Sequence, residues 1–219
     1  MATVLVTGAN RGIGLEYCRQ LRSRGDTVIA VCRSPSDELQ TLDIRIESGV
    51  DITSDDNVAN LAQRLAGTPL DLLINNAGIL QRITLDALDF NSIRQQFEVN
   101  ALGALRVVHG LLPNLHDGSK IVLMTSRMGS IGDNTSGSSY GYRMSKVAMS
   151  MAGKSLSHDL KSRGIAVGIL HPGLVSTRMT GFSGISPEES VQGLLQRIDA
   201  INLENTGMFW HANGEELPW

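Results

Sequence analysis

The chain has 219 residues and a formal net charge of -3, with 42% hydrophobic and 19% charged residues. These values are ordinary for one globular domain with a sizeable core. The charge gives no electrostatic case for binding nucleic acid or an anionic membrane. No apolar run reaches the length of a membrane span.

The first residues, Met1 to Val6, enter a strand-like run without the basic and long apolar regions of a signal peptide. Cys18 and Cys32 are isolated in the sequence, and neither they nor the five histidines have metal-ligand spacing. We therefore expect a cytoplasmic protein with buried free thiols and no metal site.

Short apolar runs alternate with amphipathic segments along the whole chain. Strands are predicted at 3–7, 27–31, 44–51, 70–75, 120–124, 165–170 and 207–211. Helices are predicted at 15–23, 36–42, 54–66, 91–112, 140–160 and 186–201. The alternation predicts the α/β class, with residues 1–219 forming a single doubly wound Rossmann-type domain. Its seven-stranded sheet would be parallel, with helices on both faces.

A glycine-rich loop, Gly8-x-x-x-Gly12-x-Gly14, follows the first strand and opens the first helix. Glycines let the backbone approach a pyrophosphate, and the helix N-terminus offers free N–H groups. After the second strand, Arg33 stands where NAD sites often place an acid, and Arg11 lies inside the loop. Two arginines beside one expected 2′-phosphate favour NADP over NAD.

Two further motifs carry polar groups. The segment 75–78, Asn-Asn-Ala-Gly, ends the fourth strand at the carboxyl edge, where ligands of open α/β sheets bind. Tyr142 and Lys146 lie one turn apart on one face of a predicted helix. A nearby ammonium favours the phenolate, so this pair could pass a proton near neutral pH.

In this order and on these elements, the motifs resemble those of the short-chain dehydrogenase/reductase family over nearly the whole chain. Segments 124–131 and 214–219 are similar to its C-factor/Sniffer-like carbonyl reductase branch. The resemblance implies a catalytic set of Asn100, Ser126, Tyr142 and Lys146. It implies that the cofactor is bound by Gly8, Asn10, Arg11, Gly12, Ile13, Gly14, Arg33, Asp51, Ile52, Asn76, Ala77, Gly78, Tyr142, Lys146, Pro172, Gly173, Val175 and Thr177.

The implied activity is NADP(H)-dependent hydride transfer between the nicotinamide and a carbonyl or alcohol carbon. Tyr142 would be the general acid/base, and Lys146 would hold the ribose and lower the Tyr142 pKa. Ser126 would bind the substrate carbonyl, and Asn100 a relay water. The serine lies farther from Tyr142 than is usual in the family, so Ser130 remains an alternative, and the extra residues should loop out around 132–136.

The resemblance also leaves a second function open, an NADP-binding regulatory or signalling protein with little turnover. For the substrate, Met179, Phe182 and Ile185 predict an apolar pocket wall. Family members associate through their two long helices, so we expect a homodimer or homotetramer, with the small residues Ala148, Ala152 and Gly153 permitting close packing.

Overall fold

Seven parallel strands form one sheet in the computed structural model, which describes residues 1–219. They are β1 (Thr3–Thr7), β2 (Thr27–Val31), β3 (Arg45–Glu47), β4 (Leu70–Asn75), β5 (Leu115–Met124), β6 (Ala166–His171) and β7 (Phe209–His211). Their order across the sheet is β3-β2-β1-β4-β5-β6-β7. The predicted fold class is confirmed, and the strand order reverses between β1 and β4, where ligands of such sheets bind.

The helices cover both faces of the sheet. They are α1 (Gly12–Ser23), α2 (Asp37–Gln40), α3 (Asp55–Arg64), α4 (Phe90–Phe97), α5 (Ala104–Leu111), α6 (Tyr140–Asp159) and α7 (Pro187–Ala200). Several begin after a capping serine, since the Ser36, Ser54 and Ser186 side chains accept backbone N–H groups. No helix has the length and apolar character needed to cross a membrane.

The core lies in two layers because alternate strand residues face opposite sides of the sheet. Val4 and Val6 of β1 belong to a cluster of 23 buried residues beneath α1 and α7. Leu5 belongs to a cluster of 21 on the other face, beneath α3, α5 and α6. Cys18 and Cys32 are buried free thiols in the first layer, as predicted.

The predicted helix 91–112 is interrupted. A π-helical segment, Glu98–Gly103, lies between α4 and α5. Asn100 in this segment accepts the Ile79 N–H at 2.8 Å and donates to the Ile79 carbonyl at 2.9 Å. The helix therefore widens where its buried amide binds the chain that follows β4, and such local widening is frequent at functional sites.

Candidate active site

The glycine loop lies against the end of β4. Gly8 and Gly12 have φ of +66° and +54°, a region that favours glycine. A Cβ on Gly8 would lie 2.8 Å from the Ala77 Cα, and one on Gly14 would lie 2.2 Å from the Gly8 carbonyl oxygen. The loop thus needs glycine for close backbone approach, as the sequence indicated.

Asn76 ties this loop to β4. Its Nδ2 donates to the Thr7 and Gly8 carbonyls at 3.1 and 3.3 Å, while the Thr7 hydroxyl accepts the Asn76 and Ala77 N–H groups. The Asn76 side chain is therefore used to hold the loop. Thr7 is a structural partner that the sequence analysis missed.

The expected adenine end of the site is a cleft of about 340 Å³ lined by Arg33, Asp51, Thr53, Arg94, Gln95, Glu98 and Val99. Hydrogen bonds from the Thr53 N–H and hydroxyl hold the pKa of Asp51 below its ordinary value, with a smaller contribution from Arg33. The Arg33 guanidinium forms no salt bridge. It is a free cation beside this cleft.

Other predicted cofactor residues have different surroundings. Ile52 is buried, with its side chain against Gly103, so it faces the core rather than open space. Ile13 packs partly on the core, and Asn10 is half-buried in the glycine loop. Arg11 is exposed at the start of α1, and its side chain makes no cap hydrogen bond.

The loops after β1 and β2 are adjacent, because the Ala9 N–H donates to the Val31 carbonyl.

The carboxyl end of β5 and the first turns of α6 bring together Ser126, Tyr142 and Lys146. The Tyr142 and Lys146 side chains are buried, and the Lys146 Nζ lies 5.8 Å from the centre of the Tyr142 ring. Nζ donates to the Met124 carbonyl at 2.7 Å. The Ser126 hydroxyl accepts the Met128 N–H at 3.1 Å and is close enough to the Tyr142 phenol to lower its pKa. The three predicted catalytic groups are thus neighbours in a site enclosed by the protein.

Asn100 reaches the same place from the π-helical segment. A Cβ on Gly78 would lie 3.2 Å from the Asn100 Oδ1 and 3.5 Å from the Lys146 Nζ, so both side chains converge on Gly78. Ser145 links Asn100 to α6, since its hydroxyl accepts from the Asn100 Nδ2 at 2.9 Å and donates to the Tyr142 carbonyl at 2.8 Å. No sequence motif pointed to Ser145.

Burial sets the pKa values here. It lowers the pKa of Lys146 to about 8. It also raises the pKa of Tyr142, an effect that the nearby Ser126 hydroxyl only partly offsets. The net direction is therefore opposite to the lowered Tyr142 pKa that the sequence predicted, because burial, which disfavours the phenolate, is the largest effect on this group. A lowering of this pKa by Lys146 stays a prediction.

Ser126 and Ser130 differ in their partners. Ser126 follows β5 and lies close enough to the Tyr142 phenol to affect its pKa, whereas the Ser130 hydroxyl accepts the Asp133 N–H at 3.1 Å. The extra residues between serine and tyrosine form an exposed loop around 132–136, as predicted. This geometry favours Ser126 as the serine that meets a substrate.

The segment after β6 joins the glycine loop. A Cβ on Gly12 would lie 3.3 Å from the Thr177 Cγ2, and the Pro172 carbonyl accepts the Ser190 hydroxyl of α7 at 2.7 Å. Gly173 has a φ of +85° and packs against His211, while Val175 is buried. Residues 172–177 therefore lie between the glycine loop and β7.

Comparison with known proteins assigns the family. The family described as short chain dehydrogenase matches residues 2–186. The chain is 43% identical to 1-hydroxy-2-glutathionyl-2-methyl-3-butene dehydrogenase of Rhodococcus sp. (strain AD45), with 100% of both chains covered. It is 44% identical to the C-signal protein of Myxococcus xanthus, covering 69% of this chain and 93% of that protein.

A solved structure agrees over the full length. The NADPH-bound carbonyl reductase from chicken fatty liver is 30% identical, with a TM-score of 0.92 and coverage of 100% of this chain and 99% of that one. The resemblance drawn from the motifs is therefore confirmed, and the chain belongs to the short-chain dehydrogenase/reductase family.

Proposed function

We propose that this chain is an NADP(H)-dependent oxidoreductase that transfers a hydride between the nicotinamide and a carbonyl or alcohol carbon. The observation that carries the proposal is the buried phenol of Tyr142 next to Ser126 and one helical turn from Lys146, whose Nζ lies 5.8 Å from the centre of the Tyr142 ring. Serine, phenol and ammonium are three groups that a carbonyl reduction can use.

The residues present fit NADP(H). Gly8 and Gly14 keep the loop backbone clear of side chains, so a pyrophosphate can meet the N-terminal N–H groups of α1. Arg33, a cation without a carboxylate partner, would hold the 2′-phosphate with Arg11, and no acid follows β2 to favour NAD. Asp51 lies at the adenine end, Lys146 would hold the nicotinamide ribose, and residues 172–177 would hold the nicotinamide.

When bound, the nicotinamide supplies or accepts the hydride. In reduction, Ser126 donates a hydrogen bond to the substrate carbonyl, and the Tyr142 phenol gives its proton to the oxygen as negative charge develops there. Lys146 stabilises the phenolate left behind. Asn100 and Lys146 face each other at Gly78, and a water between them would return the proton from solvent.

The substrate is proposed to be a carbonyl or alcohol compound with an apolar body. Of the three side chains predicted to form an apolar pocket wall, Met179 and Phe182 are 44% and 70% exposed and Ile185 is half-buried. Leu174, within residues 172–177, is 60% exposed, so apolar surface is available near the proposed nicotinamide segment. The relative from Rhodococcus is named for an alcohol that bears a glutathionyl group. Alcohols with a thioether substituent therefore belong among the test compounds.

The chain is also proposed to form a homodimer or homotetramer and to be located in the cytoplasm. Leu102, Leu105, Met144 and Met151 are 45%, 40%, 50% and 64% exposed on the two long helical segments predicted to associate. Gly153, one of the small residues expected there, instead packs on Ile169 and Leu123 of the sheet. The buried free thiols Cys18 and Cys32 fit a reducing compartment.

A second candidate is an NADP-binding signalling protein with little turnover, which the 44% identity to the C-signal protein favours. A sensor needs the cofactor loop but has no use for the Ser126–Tyr142–Lys146 arrangement. Purified protein should be titrated with NADPH and then assayed for NADPH oxidation against aldehydes and ketones, and for NADP+ reduction with thioether-bearing alcohols. Tight binding without turnover of any compound would favour the sensor and contradict the enzyme.

A further inference from the structure

The ends of β5, β6 and β7 carry basic side chains next to the proposed catalytic groups. Arg127 follows Ser126 directly, His171 ends β6, and His211 ends β7 opposite His171. The two histidine rings lie edge to face, with centroids 4.8 Å apart. The Thr125 N–H donates to the Leu170 carbonyl at 2.8 Å, so the turn that carries Arg127 lies beside the end of β6.

Two nitrogens in this group are buried without a hydrogen-bond partner, the Arg127 Nε and the His171 Nδ1. Nε is 3.5 Å from the Asp133 Oδ2 but makes no hydrogen bond with it. Most buried polar atoms in proteins have a partner, and leaving one without a partner is unfavourable. An acceptor oxygen brought by a ligand would satisfy the Arg127 Nε.

Arg127 is held in place by Glu215. Its Nη2 donates to the Glu215 Oε2 at 2.5 Å. The segment 214–219 that carries Glu215 is fixed on β7, because the His211 N–H donates to the Glu215 carbonyl and the Leu217 N–H to the Phe209 carbonyl, both at 2.8 Å. Glu215 therefore orients the guanidinium through Nη2, while the buried Nε, near Asp133, makes no hydrogen bond. This gives the segment 214–219 a structural role beside the site.

His171 is surrounded by basic side chains. Burial, followed by His211, Arg127 and Lys146, lowers the pKa of His171 to about 3. His171 is therefore neutral at physiological pH, with one ring nitrogen able to donate. Glu215 and Asp133 offset part of the Arg127 charge. An anion at this place would consequently gain a moderate rather than a large amount of binding energy.

We propose that Arg127 and His171 form a subsite for a carboxylate on the substrate, close to the carbonyl or alcohol carbon that reacts. The inference rests on the function proposed above and narrows its substrate class to compounds with an apolar body and a carboxylate. The carboxylate would accept from the Arg127 Nε and the His171 ring, while Ser126 and Tyr142 bind the reacting oxygen.

The test compares aromatic keto acids with their methyl esters as substrates for NADPH oxidation. The wild type should use the acid with a kcat/KM about tenfold above that of the ester, the size expected for a hydrogen-bonded charge. Arg127→Met should reduce the acid-to-ester ratio to about one, with Arg127→Lys in between, because lysine keeps the charge but lacks Nε. His171→Gln should reduce the ratio less.

Arg22→Met is the matched control. Arg22 lies in the last turn of α1, away from the carboxyl edge of the sheet, and its nearest carboxylate is 3.9 Å away. The control should keep the wild-type ratio. NADPH titration of each variant shows whether it is folded. A wild type that reduces both compounds with equal kcat/KM, or an Arg127→Met ratio equal to wild type, overturns the subsite. Failure of the wild type to turn over any carbonyl or alcohol would instead contradict the proposed function.

Discussion

The two sides of the sheet's carboxyl edge are built in different ways. On the cofactor side, at the ends of β1 and β4, backbone segments pack directly against each other. A Cβ on Gly14 would lie only 2.2 Å from the Gly8 carbonyl oxygen. On the substrate side, at the ends of β5, β6 and β7, the contacts are made by side chains such as Arg127, His171 and Glu215. The cofactor side should tolerate almost no added atom. Substitutions on the substrate side should leave the fold intact and change which substrates are used.

Removing the Tyr142 hydroxyl should have the largest effect on chemistry. Tyr142→Phe is expected to lower kcat by about a thousandfold, within the range for loss of a general acid. NADPH affinity should change little, because the ring remains and the glycine loop is untouched. Turnover and NADPH titration on the same preparation measure both. Full activity in this variant would remove Tyr142 as the proton donor.

Gly14→Ala tests the cofactor side. The added methyl would meet the Gly8 carbonyl and the Asn76 Nδ2, so the loop must shift, at a cost of about 1–3 kcal/mol in stability, and NADPH affinity should fall with it. Gly67→Ala is the control, since Gly67 has a positive φ but a Cβ added there would have no atom within 4 Å. Thermal unfolding and NADPH titration of both variants separate the effect of close backbone approach from that of backbone strain. Equal losses of stability and of NADPH affinity in the two variants would contradict the claim that the cofactor side is closely packed.

Arg33→Met should alter cofactor choice with a smaller effect. Loss of a charge-assisted contact to the 2′-phosphate should weaken NADPH by about tenfold or more while leaving NADH nearly unchanged. Dissociation constants for both cofactors provide the measurement, with Arg22→Met as a surface control. If the two cofactors weaken equally, Arg33 does not read the 2′-phosphate.

His171 should make the stability of the chain depend on pH. The pKa of His171 is lowered from an ordinary value of 6.5 to about 3 by burial and neighbouring positive charge. Between these values the unfolded chain binds a proton that the folded chain does not, so stability falls as the pH falls, by at most about 1.4 kcal/mol per pH unit. His171→Gln should flatten this slope in urea unfolding between neutral and acidic pH. An unchanged slope would show that His171 does not titrate in this way.

The same contrast explains what the sequence could predict. Six of the seven strands start within two residues of their predicted positions, because buried strands and capping serines are local signals. The glycine loop and Tyr142–Lys146 were also found, since backbone approach and helical spacing leave a fixed pattern. β5 begins earlier than expected, at Leu115, because a bulge near Leu70 extends its pairing with β4.

The substrate side was harder to predict, since its contacts join residues distant in the chain. Arg127 meets Glu215 across 88 positions. The one available signal was a charged residue immediately after a serine at a strand end. The direction of the Tyr142 pKa was also mispredicted, because burial of a side chain cannot be read from the spacing of Tyr142 and Lys146.

The most direct test of the central claim follows the hydrogen itself. The protein should be incubated with NADPH deuterated at C4 and with a carbonyl compound that it reduces, and the alcohol product analysed by mass spectrometry and NMR. The account predicts deuterium on the carbinol carbon, transferred from only one of the two C4 positions, and almost no product from Tyr142→Phe on the same timescale. A product whose carbinol hydrogen comes from solvent, or equal transfer from both C4 positions, would contradict direct hydride transfer in this site.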